Sequence, residues 1–223
     1  MSLLWAWVSL IVSVALPPIL FLSFAGRWDL WYGWAYAGIL AIVFSLNLLS
    51  LYFKNPDLLK ERMKPPSGRA YWTGPIIPAV VLLLQPPIAG LDNRFHWSDI
   101  VPAAGVWAGL AAVAIGWALV NWAELINPFF SGAIRIQADR GQRVVTQGPY
   151  AIVRHPGYAA GLLAAFAGAL ALNSLISIIP VAVIALPILV YRTMIEDQML
   201  HEELAGYSDY AARVRYRLIP GIW

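Results

Sequence analysis

Residues Gly157–Tyr191 read GYAAGLLAAFAGALALNSLISIIPVAVIALPILVY, 35 residues without one charge. As a single helix, at about 1.5 Å per residue, the run would be roughly 50 Å long. The hydrocarbon core of a bilayer is only about 30 Å thick and is crossed by about 20 apolar residues. The polar pair Asn173-Ser174 near the middle therefore predicts two short helices joined by a tight hairpin. Four more uncharged runs precede it, Met1–Gly26, Leu30–Phe53, Ala70–Leu91 and Ile100–Ala123, each long enough to cross once. The expectation is an all-α integral membrane protein with about six transmembrane helices and a C-terminal cytoplasmic amphipathic helix. It forms a single domain over 1–223, with four spans in 1–123 and the hairpin and C-terminal helix in 124–223.

Composition agrees. The chain is 60% hydrophobic and 12% charged, where soluble domains carry about 25% charged residues. The first run lacks a basic start, and Pro17-Pro18 interrupts it without a small-residue cleavage site, so it reads as a span rather than a cleavable signal. The absence of cysteine excludes disulfides, thiol catalysis and cysteine-ligated metal clusters. A formal charge of +3 with no arginine/lysine-rich run gives no reason to expect nucleic acid, and no metal is expected.

The basic residues give the orientation. Lys54, Lys60, Arg62, Lys64 and Arg69 lie in one connecting segment; Arg135, Arg140, Arg143 and Arg154 lie in another; Arg192, Arg213, Arg215 and Arg217 lie in the tail. That is thirteen of the fifteen Lys and Arg residues, with Arg27 and Arg94 left for the opposite side. Six spans put the three segments on one face, and the positive-inside rule makes that face cytoplasmic. Both termini are then cytoplasmic, in the inner membrane if the cell is bacterial. Two small-residue stripes, Gly157/Gly161/Ala165/Ala169 and Ala104/Ala108/Ala112/Gly116, predict close helix packing. Trp5, Trp7, Trp28, Trp31, Trp34, Trp72 and Trp97 fall near span ends, as interfacial aromatics do. The polar, proline-broken 54–69 loop reads as a solvated connector.

Chemistry concentrates at 124–158 and 191–217. Pro156 suits the first turn of a helix, whose free amides could hold a carboxylate or phosphate beside Arg154, His155, Tyr150 and Tyr158. The alternative is an interfacial cap of snorkelling and headgroup residues. At the end of the last span Arg192 and Glu196 stand four apart and share a helix face; ionisable residues there usually face a wet cavity. An incidental interfacial ion pair is the alternative. Leu200, Leu204, Tyr207, Tyr210 and Val214 follow at 3–4 spacing, an amphipathic helix able to close a pocket built by the 137–158 loop.

The pattern G-x-Y-x-x-x-R-H-P-x-Y-x-x-G, then R-x-x-x-E-[ED] and G-Y-x-x-Y, resembles the isoprenylcysteine carboxyl methyltransferase family. Here its residues are Gly148, Tyr150, Arg154, His155, Pro156, Tyr158, Gly161, Arg192, Glu196, Asp197, Gly206, Tyr207 and Tyr210. The resemblance covers about the C-terminal half. It implies an integral-membrane methyltransferase that binds S-adenosyl-L-methionine in a cytoplasmic pocket, with a lipophilic substrate entering from the bilayer. Carried over by motif, the cofactor contacts are Gln137, Gln142, Arg143, Val144, Val145, Tyr150, His155, Pro156, Gly157, Tyr158 and Glu196. Glu196 would pair with the cofactor's ammonium, and His155 with the helix-start amides would hold its carboxylate. Arg192 would be catalytic, facing the methyl acceptor, with Arg154 also on the substrate. Eukaryotic members place a further arginine upstream, where Asn121–Phe130 has none, so a prenylcysteine carboxylate is not the only acceptor the pattern allows. Membrane methyltransferases of phospholipids or small thiols look similar, and sterol reductases share part of the architecture. An NADPH-dependent reductase is therefore an alternative, against which the acidic pair Glu196-Asp197 speaks through repulsion of the extra phosphate. A non-enzymatic membrane protein, with these motifs as interfacial anchors, is the third.

Overall fold

The computed structural model describes residues 3–62, 64, 68–98 and 101–223; Met1 and Ile100, which open two of the expected runs, lie outside them. Among the described residues there are ten α-helices: α1 (Leu3–Ala25), α2 (Trp31–Lys54), α3 (Pro56–Arg62), α4 (Ile76–Ala79), α5 (Gln85–Phe95), α6 (Ala103–Ile126), α7 (Pro156–Ala171), α8 (Ile178–Pro180), α9 (Leu186–Glu203) and α10 (Tyr207–Arg213). The π-helical stretch Val80–Leu84 joins α4 to α5, and Val181–Ala185 joins α8 to α9. Prolines follow each stretch, Pro86 and Pro87 in one case and Pro187 in the other. Their rings would strike the carbonyl four residues back, which a widened turn relieves.

Four helical segments are long and apolar enough to cross a membrane, Trp31–Lys54, Tyr71–Phe95, Ala103–Ile126 and Ile178–Glu203, with shorter apolar helices at Leu10–Ala25 and Pro156–Ala171. These are the six expected segments. The hairpin turns where the sequence placed it: Asn173 adopts φ +53°, a left-handed conformation that asparagine tolerates better than most residues. Side chains such as Ile11, Ile42, Ile115 and Val183 point outward and are exposed, as a surface solvated by lipid requires.

Phe21, Leu22, Tyr36, Leu40, Leu110, Val113 and Leu172 form the main core. α6 and α7 pack against each other through small residues, along a line that keeps only the C-terminal half, Ala112 and Gly116, of the stripe expected on α6. Ala104 and Ala108 are exposed, whereas Val106, Gly109, Val113 and Gly116 are buried. A Cβ added at Gly109 would strike the Ala171 backbone, and one at Gly116 would strike Ala164. The two glycines let the backbones approach closely.

Two further expectations change. The stripe from Leu200 to Val214 is not one helix: Gly206 at φ +80° breaks it, and α10 folds back. Tyr207, Tyr210 and Ala211 nonetheless pack with Val144, Leu200, Leu204 and Val214. The 54–69 segment is no free connector. Leu58 and Glu61 are buried, and Glu61 pairs with Lys64 and, at 2.6 Å, with Arg135. Arg62 reaches buried Glu124 at 2.5 Å. The Arg69 N–H donates to the Ile134 carbonyl at 2.8 Å. The three basic segments thus meet at one end of the bundle.

Candidate active site

At that end the strap 127–145, the first turn of α7, the end of α9 and α10 line a half-open pocket. All eleven residues expected around a cofactor line it: Gln137, Gln142, Arg143, Val144, Val145, Tyr150, His155, Pro156, Gly157, Tyr158 and Glu196. Phe129, Phe130, Asn127, Arg154, Tyr207 and Tyr210 are also part of the wall.

Glu196 is the chemically distinctive group. Its Oε2 accepts the Tyr158 hydroxyl at 2.6 Å, and no cationic side chain among the described residues pairs with it. A carboxylate so placed has lone pairs free to accept from a cationic donor. The Tyr158 ring lies parallel to His155, 8° apart in plane with centroids at 5.9 Å. Tyr150 is buried, its hydroxyl accepts from Asn127 Nδ2 at 3.1 Å, and burial pushes its pKa well above the ordinary phenol value. It stays neutral and offers the pocket an aromatic face. A side chain at position 157 would strike the Phe130 ring, so glycine there lets the strap lie against the helix start.

Asp197, one step round the helix, has a different task. It accepts Arg154 Nε at 2.8 Å and Nη2 at 3.0 Å, the Tyr207 hydroxyl at 2.8 Å and Arg217 Nε at 2.8 Å; His155 Nε2 lies 3.3 Å away. Arg154 Nη1 donates to the Val214 and Arg215 carbonyls, and the Arg154 and His155 amides donate to Tyr216 and Arg217 carbonyls. This hub pins α10 and the tail to the Arg-His-Pro segment.

Several expected roles shift accordingly. Arg154 is not available to a substrate, because its guanidinium is committed to Asp197 and two carbonyls. Arg192 is buried; Nη1 donates to Thr73 Oγ1 at 2.8 Å and Nη2 to the Gly132 carbonyl at 2.8 Å, with the Tyr158 hydroxyl at 3.4 Å. It stands behind the wall of this pocket, held by these partners. Gln137 donates from Nε2 to the Phe129 carbonyl at 2.8 Å, its Oε1 accepts from Arg140, and its amide donates to Gln142 Oε1 at 2.6 Å, so it shapes the strap. The anion site expected at the start of α7 is smaller than a free first turn, since the Tyr158 and Ala159 amides both turn back to the His155 carbonyl. The acidic pair also divides: Glu196 faces the pocket while two arginines neutralise Asp197, which weakens the argument against a phosphate-bearing cofactor.

Asn127, Thr73 and Gly132 carried no signal in the sequence. Tyr207 and Tyr210 did, as part of the stripe and of the G-Y-x-x-Y pattern. Among the described residues no group of His, Asp and Glu is placed to hold a metal ion.

No curated protein matches the chain. Residues 103–205 match the family model described as phospholipid methyltransferase, so the segment carrying the strap, the helical hairpin, Arg192 and Glu196 is similar to membrane methyltransferases, which supports methyl transfer at a bilayer as the chemistry of this protein.

Proposed function

We propose that the chain is an S-adenosylmethionine-dependent methyltransferase, one functional unit over 1–223, whose cofactor pocket opens at the cytoplasmic face and whose acceptor is a lipid-soluble molecule. The observation that carries this reading is Glu196: a carboxylate without a cationic partner among the described residues, set in a pocket lined by the eleven residues expected around the cofactor. Glu196 would hold the cofactor's α-ammonium by a charge-assisted hydrogen bond. The Gly157 amide and Arg143 at the pocket mouth would meet its carboxylate, and the tyrosine faces suit a sulfonium. When bound, the cofactor supplies an electrophilic methyl that the acceptor's lone pair takes in one displacement. The chain's contribution is alignment and exclusion of water, an effect worth up to about 7–11 kcal/mol.

Among acceptors, the phospholipid headgroup amine gains over the prenylcysteine carboxylate. Arg154 and Arg192, the arginines that would have fixed a carboxylate, are both engaged elsewhere, and residues 103–205 resemble a phospholipid methyltransferase. An amine attacks in its neutral form and releases its proton to water afterwards. The test is calorimetric titration in detergent with S-adenosylhomocysteine and with NADPH. Binding of the first, weakened by about 1.5–3 kcal/mol in Glu196→Gln, is the expected result. Binding of NADPH alone would replace the reading with a reductase, and unchanged affinity in the variant would remove Glu196 from the site.

A further inference from the structure

The turn Tyr71–Thr73 lies outside the segment similar to methyltransferases, yet it reaches Arg192 behind the pocket wall. Thr73 is fully buried. Its hydroxyl donates to the Ala70 carbonyl at 2.6 Å, so its one proton is used and a lone pair is left to accept Arg192 Nη1 at 2.8 Å. The segment carrying it is clamped on two sides. The Arg69 amide binds the Ile134 carbonyl at 2.8 Å, and the Arg69 guanidinium reaches Glu203 at 2.7 Å and Glu202 at 3.4 Å.

Arg192 and Glu196 are one helical turn apart, the spacing at which opposite charges pair on a helix surface. They do not pair directly here. Thr73 and the Gly132 carbonyl draw the guanidinium to one side, and the Tyr158 hydroxyl stands between, 3.4 Å from Arg192 Nη2 and 2.6 Å from Glu196 Oε2. We infer that Thr73 is a positioning residue that withholds Arg192 from Glu196 and thereby keeps the Glu196 carboxylate open to a cationic ligand. It touches no ligand and acts through Arg192. The inference rests on the reading of Glu196 as the ammonium receptor. Without the Thr73 hydroxyl the guanidinium loses a partner and can swing to Glu196, so that a ligand must compete with an internal cation.

The test compares Thr73→Val, which removes the hydroxyl and keeps the shape, with Thr73→Ser, which keeps the hydroxyl. The first readout needs no ligand: the ¹⁹F resonance of 3-fluorotyrosine installed at position 158 in the detergent-solubilised full chain. Thr73→Val should shift it and Thr73→Ser should leave it near the wild-type position. A resonance unmoved by Thr73→Val overturns the inference whether or not the protein binds the cofactor. The second readout is affinity for S-adenosylhomocysteine, expected to fall about tenfold in Thr73→Val and to return in Thr73→Ser. Adding Arg192→Gln to Thr73→Val should recover affinity, because the competing cation is gone; a merely damaged fold would not recover. Wild-type affinity in Thr73→Val, beside a wild-type protein that binds, overturns the positioning role. A wild type that binds no S-adenosylhomocysteine while the resonance shifts sinks the cofactor reading and leaves the Thr73–Arg192–Tyr158 coupling standing.

Discussion

Replacing Asp197 by Asn removes one negative charge and almost no volume, and the structure says what that should cost. Two hydrogen bonds from Arg154, at 2.8 and 3.0 Å, end on this carboxylate, and the Arg154 side chain is only 6% exposed. Taking one partner from a buried ion pair strands the other charge, at about 3–5 kcal/mol. Arg217, at 35% exposure, is solvated enough to add little. An Asn oxygen in the place of Oδ1 can still accept from Arg154 Nε and the Tyr207 hydroxyl, while the amide NH₂ in the place of Oδ2 faces the donors Arg154 Nη2 and Arg217 Nε, so the expected loss lies near the lower end, about 3 kcal/mol. It should be local. Asp197 joins α7, α9, α10 and the tail, so residues 207–217 should detach while the membrane helices stay packed. Limited proteolysis of the detergent-solubilised protein reads this directly, as faster cleavage between Gly206 and Arg217 with an unchanged membrane-embedded core. Ligand-free Glu196→Gln, one residue away, should be cleaved at the wild-type rate. Wild-type protection of the tail in Asp197→Asn would refute the hub.

Gly109→Val should push α6 off the Ala171 backbone and cost about 1–3 kcal/mol, read by thermal unfolding in detergent; Gly161→Ala, with open space around it, should be neutral or stabilising by up to about 1 kcal/mol. Burial of Glu61 opposes its ionisation, but hydrogen bonds from Lys64 and Arg135 outweigh it and hold its pKa below the ordinary range. Docking of the 54–69 segment should therefore be full above the usual glutamate pKa and fade as pH falls through the depressed value, and protease accessibility of that segment should lose this acid dependence in Glu61→Gln. A C-terminal reporter should be active only in the cytoplasm; activity on the other side would reverse the proposed orientation.

The helical plan was legible because a bilayer sets the length of an apolar run and the Asn173-Ser174 break exceeds what a continuous span would carry. The pocket was legible as a list of residues, and less so as roles. Glu196 and Asp197 are adjacent in sequence but about 100° apart around a helix, so composition could not say which faces a ligand. Arg154 and Arg192 read as free cations because their partners lie far off: Asp197 is 43 residues from Arg154, and Thr73 is 119 residues from Arg192. No local period encodes such contacts. The stripe on α6 posed a similar ambiguity, since small residues on an exposed side (Ala104, Ala108) and on a packed side (Gly109, Gly116) look alike until a partner helix is present.

The pairing of the Arg154 and His155 amides with the carbonyls of Tyr216 and Arg217 also bears on how the protein is made. The wall of the pocket needs a segment translated after α9. While the ribosome is still delivering α9, the preceding helices can already be threaded into the bilayer, yet the chain has no closed cavity for the proposed cofactor. Ligand binding in a pulse-labelled translation reaction should therefore lag behind membrane insertion by at least the time needed to emerge and dock those last turns.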